Sequence, residues 1–142
     1  MPPIELIARA VIIRGNKVLL AKQKTESNTF LPGGHIEEGE YAEESLRREL
    51  LEELGVESRI GRFVGVLEHK FTDRLDKEYE EINLIFEASL DSEDARSIES
   101  HLEFMWVTPE EFEEANLLPS SLQVILPGWM KEKTPFHSLQ KD

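Results

Sequence analysis

A fixed spacing of glycine, glutamate and arginine residues over positions 34–56 constrains this chain more than any other feature. The segment reads Gly-x5-Glu-x7-Arg-Glu-Leu-x-Glu-Glu-x-Gly-Val. If residues 41–54 form a helix, Glu49, Glu52 and Glu53 stand at positions i, i+3 and i+4. Residues at that spacing share one face of a helix, so the pattern predicts three carboxylates that converge on one side of it.

Three like charges on one helix face repel each other, so the pattern predicts a compensating cation. Clustered carboxylates in a chain without cysteine favour the hard cations Mg2+ or Mn2+ over zinc. Leu46, Leu50 and Leu54 form a neighbouring stripe that can pack against a sheet. A solvated acidic helix is the alternative interpretation, but such a helix does not require the glycines that flank this one.

The run Leu31-Pro32-Gly33-Gly34 comes shortly before the acidic helix. Proline restricts the backbone and glycine accepts positive φ, so this turn can approach a ligand closely. It leads toward a helix N-terminus, where amide groups and the helix dipole favour phosphate. We therefore expect Gly33 and Gly34 to bind substrate. Gly55 lies where a glycine commonly ends a helix.

The composition is that of one compact domain. The 142 residues carry a net charge of −13, which argues against binding to DNA or RNA polymers. A small nucleotide remains a suitable partner, because divalent cations can join its phosphates to acidic side chains. The chain has no cysteine, no apolar run of membrane-spanning length and no basic, apolar signal segment, which predicts a cytoplasmic location without membrane association. We expect residues 1–130 to form the domain and residues 131–142 a loosely attached C-terminal tail.

Apolar periodicity and turn residues predict the order of secondary structure. Two strands over residues 4–14 and 17–23 are joined at Gly15-Asn16, which is a strong hairpin signal. Further strands are predicted near Phe30 and over 57–71, 81–90 and 101–107, with Gly61 and Gly65 as bulges. Polar loops are expected over 24–29 and 72–79, and short helices over 109–115 and 120–126.

The spaced motif and this order of elements resemble the Nudix hydrolase family along residues 4–128. The resemblance implies an α+β Nudix fold, in which a mixed β-sheet is sandwiched between α-helices. It also implies that Glu49, Glu52 and Glu53 bind Mg2+ or Mn2+, with the Gly34 carbonyl or Glu40 assisting. Arg48 would then orient the carboxylates.

The general base varies across this family, so its identity stays open among Glu49, Glu53 and Glu103. Glu103 lies three residues before Trp106, a spacing that several family members share, although an exposed strand glutamate needs no function. Phe30 is a candidate to stack on a base and Lys22 to contact phosphate. Both residue types are also common at such positions without a ligand.

The resemblance implies metal-dependent hydrolysis of a phosphoanhydride bond that releases a nucleoside monophosphate. We favour a nucleoside diphosphate derivative of the NDP-sugar or ADP-ribose type, because two polar loops, 24–29 and 72–79, are expected to enclose groups on both sides of a diphosphate. A nucleoside triphosphate pyrophosphatase is the first alternative. A non-catalytic nucleotide sensor is the second, and the complete set of glutamates argues against it. A homodimer is left open.

Overall fold

The computed structural model describes residues 2–93 and 95–142, and these residues form a mixed β-sheet with helices on both faces. The elements in chain order are β1 (Ile4–Arg14), β2 (Lys17–Gln23), β3 (Gly33–His35), α1 (Ala42–Leu54), β4 (Ser58–Thr72), β5 (Glu78–Leu90), β6 (Leu102–Val107), a 3-10 turn (Pro109–Glu111), α2 (Leu122–Glu132) and β7 (Phe136–Lys141). The strand order is β6-β2-β1-β5-β4-β7, and β3 also pairs with β1. The β1–β5 and β4–β7 pairs are parallel and the others antiparallel, which confirms the predicted mixed sheet.

Strands β1 and β2 pair only near their hairpin and then separate. The segment 30–35 fills the gap between them. Phe30 exchanges two backbone hydrogen bonds with Ala21, and the Ala10 N–H donates to the Pro32 carbonyl at 2.9 Å. β3 then pairs with β1, so the two glycines lie over the middle of the sheet. The pairing of segment 30–35 with both strands therefore fixes the glycine turn beneath α1.

The hydrophobic core has one part on each face of the sheet. The predicted leucine stripe of α1 is confirmed, since Leu46, Leu50 and Leu54 are buried in a cluster with β1 side chains such as Ala8 and Ala10. On the other face, α2 packs its own apolar side chains against β1, β2, β4 and β5. Each buried leucine contributes roughly 1.5–3 kcal/mol relative to exposure. α1 is therefore held rigidly enough to position its acidic face.

The prediction of a loosely attached tail from residue 131 onward is wrong for most of that segment. α2 continues to Glu132, and β7 pairs in parallel with β4. Gly65 makes this docking possible, because a Cβ there would lie 2.7 Å from the Phe136 ring. The sequence of β7 does not reveal the strand, because pairing with a distant edge requires no apolar alternation of its own.

The short helices also differ from expectation. Thr108 caps a single 3-10 turn rather than a helix reaching residue 115. α2 extends beyond the predicted end at 126 and includes Pro127 and Gly128, two residues of low helix propensity. Burial of Leu126 and Trp129 outweighs that low propensity. The strand predicted near Phe30 is a single bridge, and the strand itself begins at Gly33. No helix within residues 2–93 and 95–142 is long and apolar enough to cross a bilayer.

Candidate active site

Helix α1 carries the predicted carboxylates along the side that faces the glycine turn. Glu53 is only 7% exposed, which is unusual for a glutamate, and within the described residues its Oε2 has no hydrogen-bond partner. Burial, and secondly the charge of Glu49, raise the pKa of Glu53 to about 8. The backbone N–H of Gly33 opposes this rise by hydrogen bonding to the carboxylate. Glu53 is therefore a buried acidic group that the Gly33 N–H and the charge of Arg9 compensate only in part.

Arg48 organises the other carboxylates of the motif. Its Nε and Nη2 donate to the two oxygens of Glu40 at 2.7 and 3.0 Å. Its Nη1 donates to Glu49 at 3.1 Å and to Glu52 at 3.3 Å. Hydrogen bonding from Arg48 is the main reason that the pKa of Glu40 falls to about 2. The guanidinium thus connects three acidic side chains, as its position in the motif predicts.

We expect Arg48→Lys to reduce turnover and Mg2+ affinity by roughly tenfold, the lower end of the effect seen when a group supporting metal ligands is removed. Lysine keeps the charge but has no planar fork to hold Glu40 and Glu49 at the same time. The exposed neighbour Arg47 provides a matched control, and Arg47→Lys should stay within about twofold of the parent. Steady-state rates across a Mg2+ titration check both variants. Equal behaviour of the two would contradict a positioning role for Arg48.

The two glycines permit contacts that no other residue allows. Gly33 has φ 141°, and a Cβ at this position would collide with the Ala8 carbonyl oxygen. A Cβ on Gly34 would lie 2.6 Å from Oε1 of Glu49. The backbone of the turn is thus in direct contact with the acidic helix. Gly55 ends that helix with φ 72° and donates its N–H to Leu51, as predicted for a C-terminal cap.

The chemistry of these residues fits a hard divalent cation. Glu53 presents a buried carboxylate oxygen that has no partner among the described residues, and the charge of Glu49 acts on the same carboxylate. The backbone of Gly34 lies close to the Glu49 side chain, so oxygen ligands for such a cation are close together. In the described part of the chain, no three acidic or histidine side chains already converge on one point. Glu52 and Glu40 instead contact Arg48. The assignment of these four glutamates and Gly34 as metal ligands stays a prediction.

A cavity of about 560 Å3 opens beside this site, on the sheet face opposite α1. Its walls include Arg9, Phe30, His69, Phe71, Glu81 and Asp142. The volume falls within the range of small-ligand sites, and the walls combine aromatic and polar groups as such sites usually do. The structure therefore brings Phe30 to a position where a bound molecule can contact it.

Arg9 links the cavity to the acidic helix, and sequence reasoning missed it. Its Nη1 donates to the Leu31 carbonyl at 3.1 Å, and its guanidinium lies 5.5 Å from the centre of the Phe30 ring. Burial lowers the pKa of Arg9, while the charges of Glu81, Glu53 and Glu49 oppose this shift. One signal was available, because Arg9 interrupts an otherwise apolar stretch of β1.

Lys22 and Glu103 occupy another part of the sheet. They are direct neighbours on β2 and β6, and their side chains form an ion pair of 3.4 Å. Neither residue lines the cavity beside Arg9. The structure therefore brings these two predicted residues to each other rather than to the glutamates of α1, and their proposed roles in phosphate binding and base catalysis stay predictions.

An acidic helix set against a glycine turn on a mixed sheet is the arrangement that the resemblance to the Nudix hydrolases implies. The NUDIX domain model matches residues 5–126 of this chain. The chain is 30% identical over 129 residues to a CTP pyrophosphohydrolase of Escherichia coli (strain K12), which covers 88% of this chain and 90% of that protein. The chain belongs to the Nudix hydrolase family.

Two further comparisons differ in how much of the chain they cover. The chain is 41% identical to an ADP-ribose pyrophosphatase of Methanocaldococcus jannaschii, but only over 61 residues, 39% of this chain and 35% of that protein. The crystal structure of a Nudix hydrolase from Nitrosomonas europaea superposes with a TM-score of 0.77 and 20% identity, covering 100% of this chain and 81% of that one. The second comparison supports the fold alone.

Proposed function

We propose that this protein is a Mg2+- or Mn2+-dependent pyrophosphohydrolase that cleaves a phosphoanhydride bond of a small nucleotide and releases a nucleoside monophosphate. The observation that carries the proposal is the buried Glu53, which has an unpartnered oxygen next to Glu49 and the glycine turn. A buried carboxylate that is only partly compensated destabilises a protein. Binding of a cation at Glu53 would offset that cost.

The chain's own residues perform the positioning steps of the reaction. Glu49, Glu52 and Glu53 would hold the cation, with the Gly34 carbonyl or Glu40 assisting, and Arg48 would fix the directions of the carboxylates. A cation held there would supply positive charge against the phosphates and lower the pKa of the attacking water. Rate enhancement then comes mainly from orientation and electrostatics within a preformed site.

We assign the general base to Glu49 or Glu53 rather than to Glu103. The first two lie beside the glycine turn, within electrostatic range of Arg9 in the cavity wall. Glu103 is held by Lys22 on the neighbouring strand. A base must reach the proton that it removes, directly or through one water, and Glu49 and Glu53 lie against the glycine turn among the expected cation ligands.

The preferred substrate class shifts from a diphosphate derivative toward a nucleoside triphosphate. The predicted loop over 72–79 is a tight turn instead, since Asp73 accepts hydrogen bonds from the backbone of Leu75 and Lys77, and β5 begins at Glu78. That turn is too short to enclose a second large group beside a diphosphate. The CTP pyrophosphohydrolase of Escherichia coli, whose match covers 88% of this chain, also has a nucleoside triphosphate in its name. A diphosphate derivative stays the second candidate, favoured by the shorter match to an ADP-ribose pyrophosphatase.

Specificity constants separate these candidates. Wild-type protein should be assayed in Mg2+ with the common nucleoside triphosphates, ADP-ribose and NDP-sugars, with Glu53→Gln protein as the background control. We expect at least a tenfold advantage for a triphosphate, equivalent to about 1.4 kcal/mol of transition-state stabilisation. A tenfold advantage for ADP-ribose or an NDP-sugar would establish the second candidate. Tight nucleotide binding without turnover would favour a sensor.

A further inference from the structure

Asp142 directly follows strand β7 and lies in the wall of the cavity. The Asp142 N–H donates to the Lys70 carbonyl at 2.9 Å, which anchors its backbone to β4. His69 Nε2 lies 2.8 Å from Oδ2 of Asp142, and Gln140 Nε2 lies 3.0 Å from Oδ1. Two side chains therefore hold the carboxylate, and the backbone hydrogen bond to Lys70 anchors the residue that carries it.

His69 connects this carboxylate to the aromatic wall of the cavity. An ionised carboxylate only accepts hydrogen bonds, so the Nε2 atom of His69 carries the shared proton. The His69 ring stacks on Phe71 with a centroid distance of 4.6 Å, and Phe71 stacks on Tyr79 at 4.8 Å. Asp142, His69 and Phe71 thus form one ordered surface along the cavity.

The cavity suits the base of a nucleotide better than its phosphates. Glu26, Glu81 and Asp142 place negative charge in its walls, and negative charge repels phosphate. Phe30 provides an aromatic ring on which a base can stack, and the edge of the Phe71 stack adds apolar surface to the same wall. The phosphates would then lie toward Arg9 and the acidic helix, where a cation can compensate them.

Asp142 differs from the other two acidic groups of the cavity. Glu26 lies 3.9 Å from Arg74, and Glu81 lies close to the charge of Arg9. The ion-pair partner of Asp142 among the described residues is His69. Hydrogen bonds from His69 and then Gln140 lower the pKa of Asp142, so it remains an acceptor. Its side-chain contacts come from His69 and Gln140 alone, which leaves acceptor capacity on the carboxylate for a ligand.

We propose that Asp142, positioned by His69, is a specificity-determining residue that selects nucleobases presenting an exocyclic amino group at this wall. The proposal rests on the proposed function, because it requires a nucleotide substrate. A fixed acceptor binds an amino group and repels the carbonyl oxygen that replaces it in a related base. Sites of this kind discriminate strongly, since the wrong ligand leaves a polar group unpaired.

A second histidine–carboxylate pair provides a matched control. His137 Nε2 lies 2.6 Å from Oε2 of Glu68, so this pair also joins β7 to β4. Successive strand residues point to opposite faces, so Glu68 lies on the other side of the sheet from His69 and outside the cavity wall. Glu68→Gln therefore repeats the chemical change of Asp142→Asn without altering the cavity.

The test compares substrates that differ by an amino group or a carbonyl on the same ring, namely CTP with UTP and ATP with ITP. Within the pair that the wild-type protein hydrolyses faster, we expect kcat/KM for the amino substrate (CTP or ATP) to exceed that for the carbonyl substrate (UTP or ITP) by roughly tenfold or more. Asp142→Asn should remove most of that preference, because its amide can present a donor. His69→Gln should weaken the preference through loss of positioning, and Glu68→Gln should leave it unchanged.

Three results would overturn the inference: no amino preference in wild type, an unchanged preference in Asp142→Asn, or an equal loss in Glu68→Gln. The equal loss would mean that β7 acts only as a structural support. Calorimetric binding of cytidine against uridine and of adenosine against inosine to metal-free protein provides a second readout. Absence of turnover would then count against the proposed function alone, while equal binding of the paired nucleosides would count against the role of Asp142.

Discussion

Replacing Glu53 with glutamine should lower kcat/KM by at least about 100-fold, the usual scale for loss of a catalytic electrostatic group. Glutamine keeps the shape of the side chain but removes the negative charge that a cation requires. Because Glu53 is buried and has an unpartnered Oε2 within the described residues, its neighbours cannot replace that charge. Initial rates in saturating Mg2+ measure the effect.

The control for this change lies on the same helix. Glu43 is exposed in the first turn of α1, and Glu43→Gln should stay within about twofold of wild type. Thermal melts of both variants verify that each is folded. Near-normal turnover in folded Glu53→Gln would mean that the reaction takes place elsewhere in the molecule.

The stability of metal-free protein should fall as the pH rises from about 4.5 to about 8. The pKa of Glu53 rises from 4.5 to about 8 in the folded state because the group is buried beside Glu49. In that window the folded protein retains a proton that the unfolded chain has lost, so unfolding becomes more favourable with increasing pH. The slope from this group is at most about 1.4 kcal/mol per pH unit. Denaturant unfolding in a chelator measures it.

Two comparisons isolate the contribution of Glu53 to this slope. Glu53→Gln should flatten the curve and should be more stable than wild type at pH 8 without metal. Mg2+ should raise the melting temperature of wild type, because a ligand that binds the native state stabilises it. A wild-type curve that rises over the same window, or that matches Glu53→Gln throughout, would refute the assignment.

The acidic helix and its buried leucine stripe could be predicted because their information is local. Glu49, Glu52 and Glu53 share a helix face through the fixed geometry of the helix, and Leu46, Leu50 and Leu54 determine which way that face points. The glycine turn is similarly local. A Cβ at Gly33 or Gly34 collides with neighbouring atoms, so the spacing of the motif already contains the constraint.

The cavity half could not be predicted because it depends on contacts between distant parts of the chain. Asp142 reaches His69 only after β7 pairs with β4, and the sequence of β7 gives no sign of that pairing. The ion pair of Lys22 with Glu103 was also outside the reach of the sequence, because it depends on the pairing of β2 with β6. The roles expected for these two residues stay predictions.

Product analysis of a single reaction tests whether this protein is a metal-dependent pyrophosphohydrolase. Wild-type protein is incubated with a nucleoside triphosphate and Mg2+, and the products are identified by phosphorus NMR with and without a chelator. We predict nucleoside monophosphate and pyrophosphate, formed only while the divalent cation is available. Formation of nucleoside diphosphate and phosphate, or the same products at the same rate in excess chelator, would contradict the account.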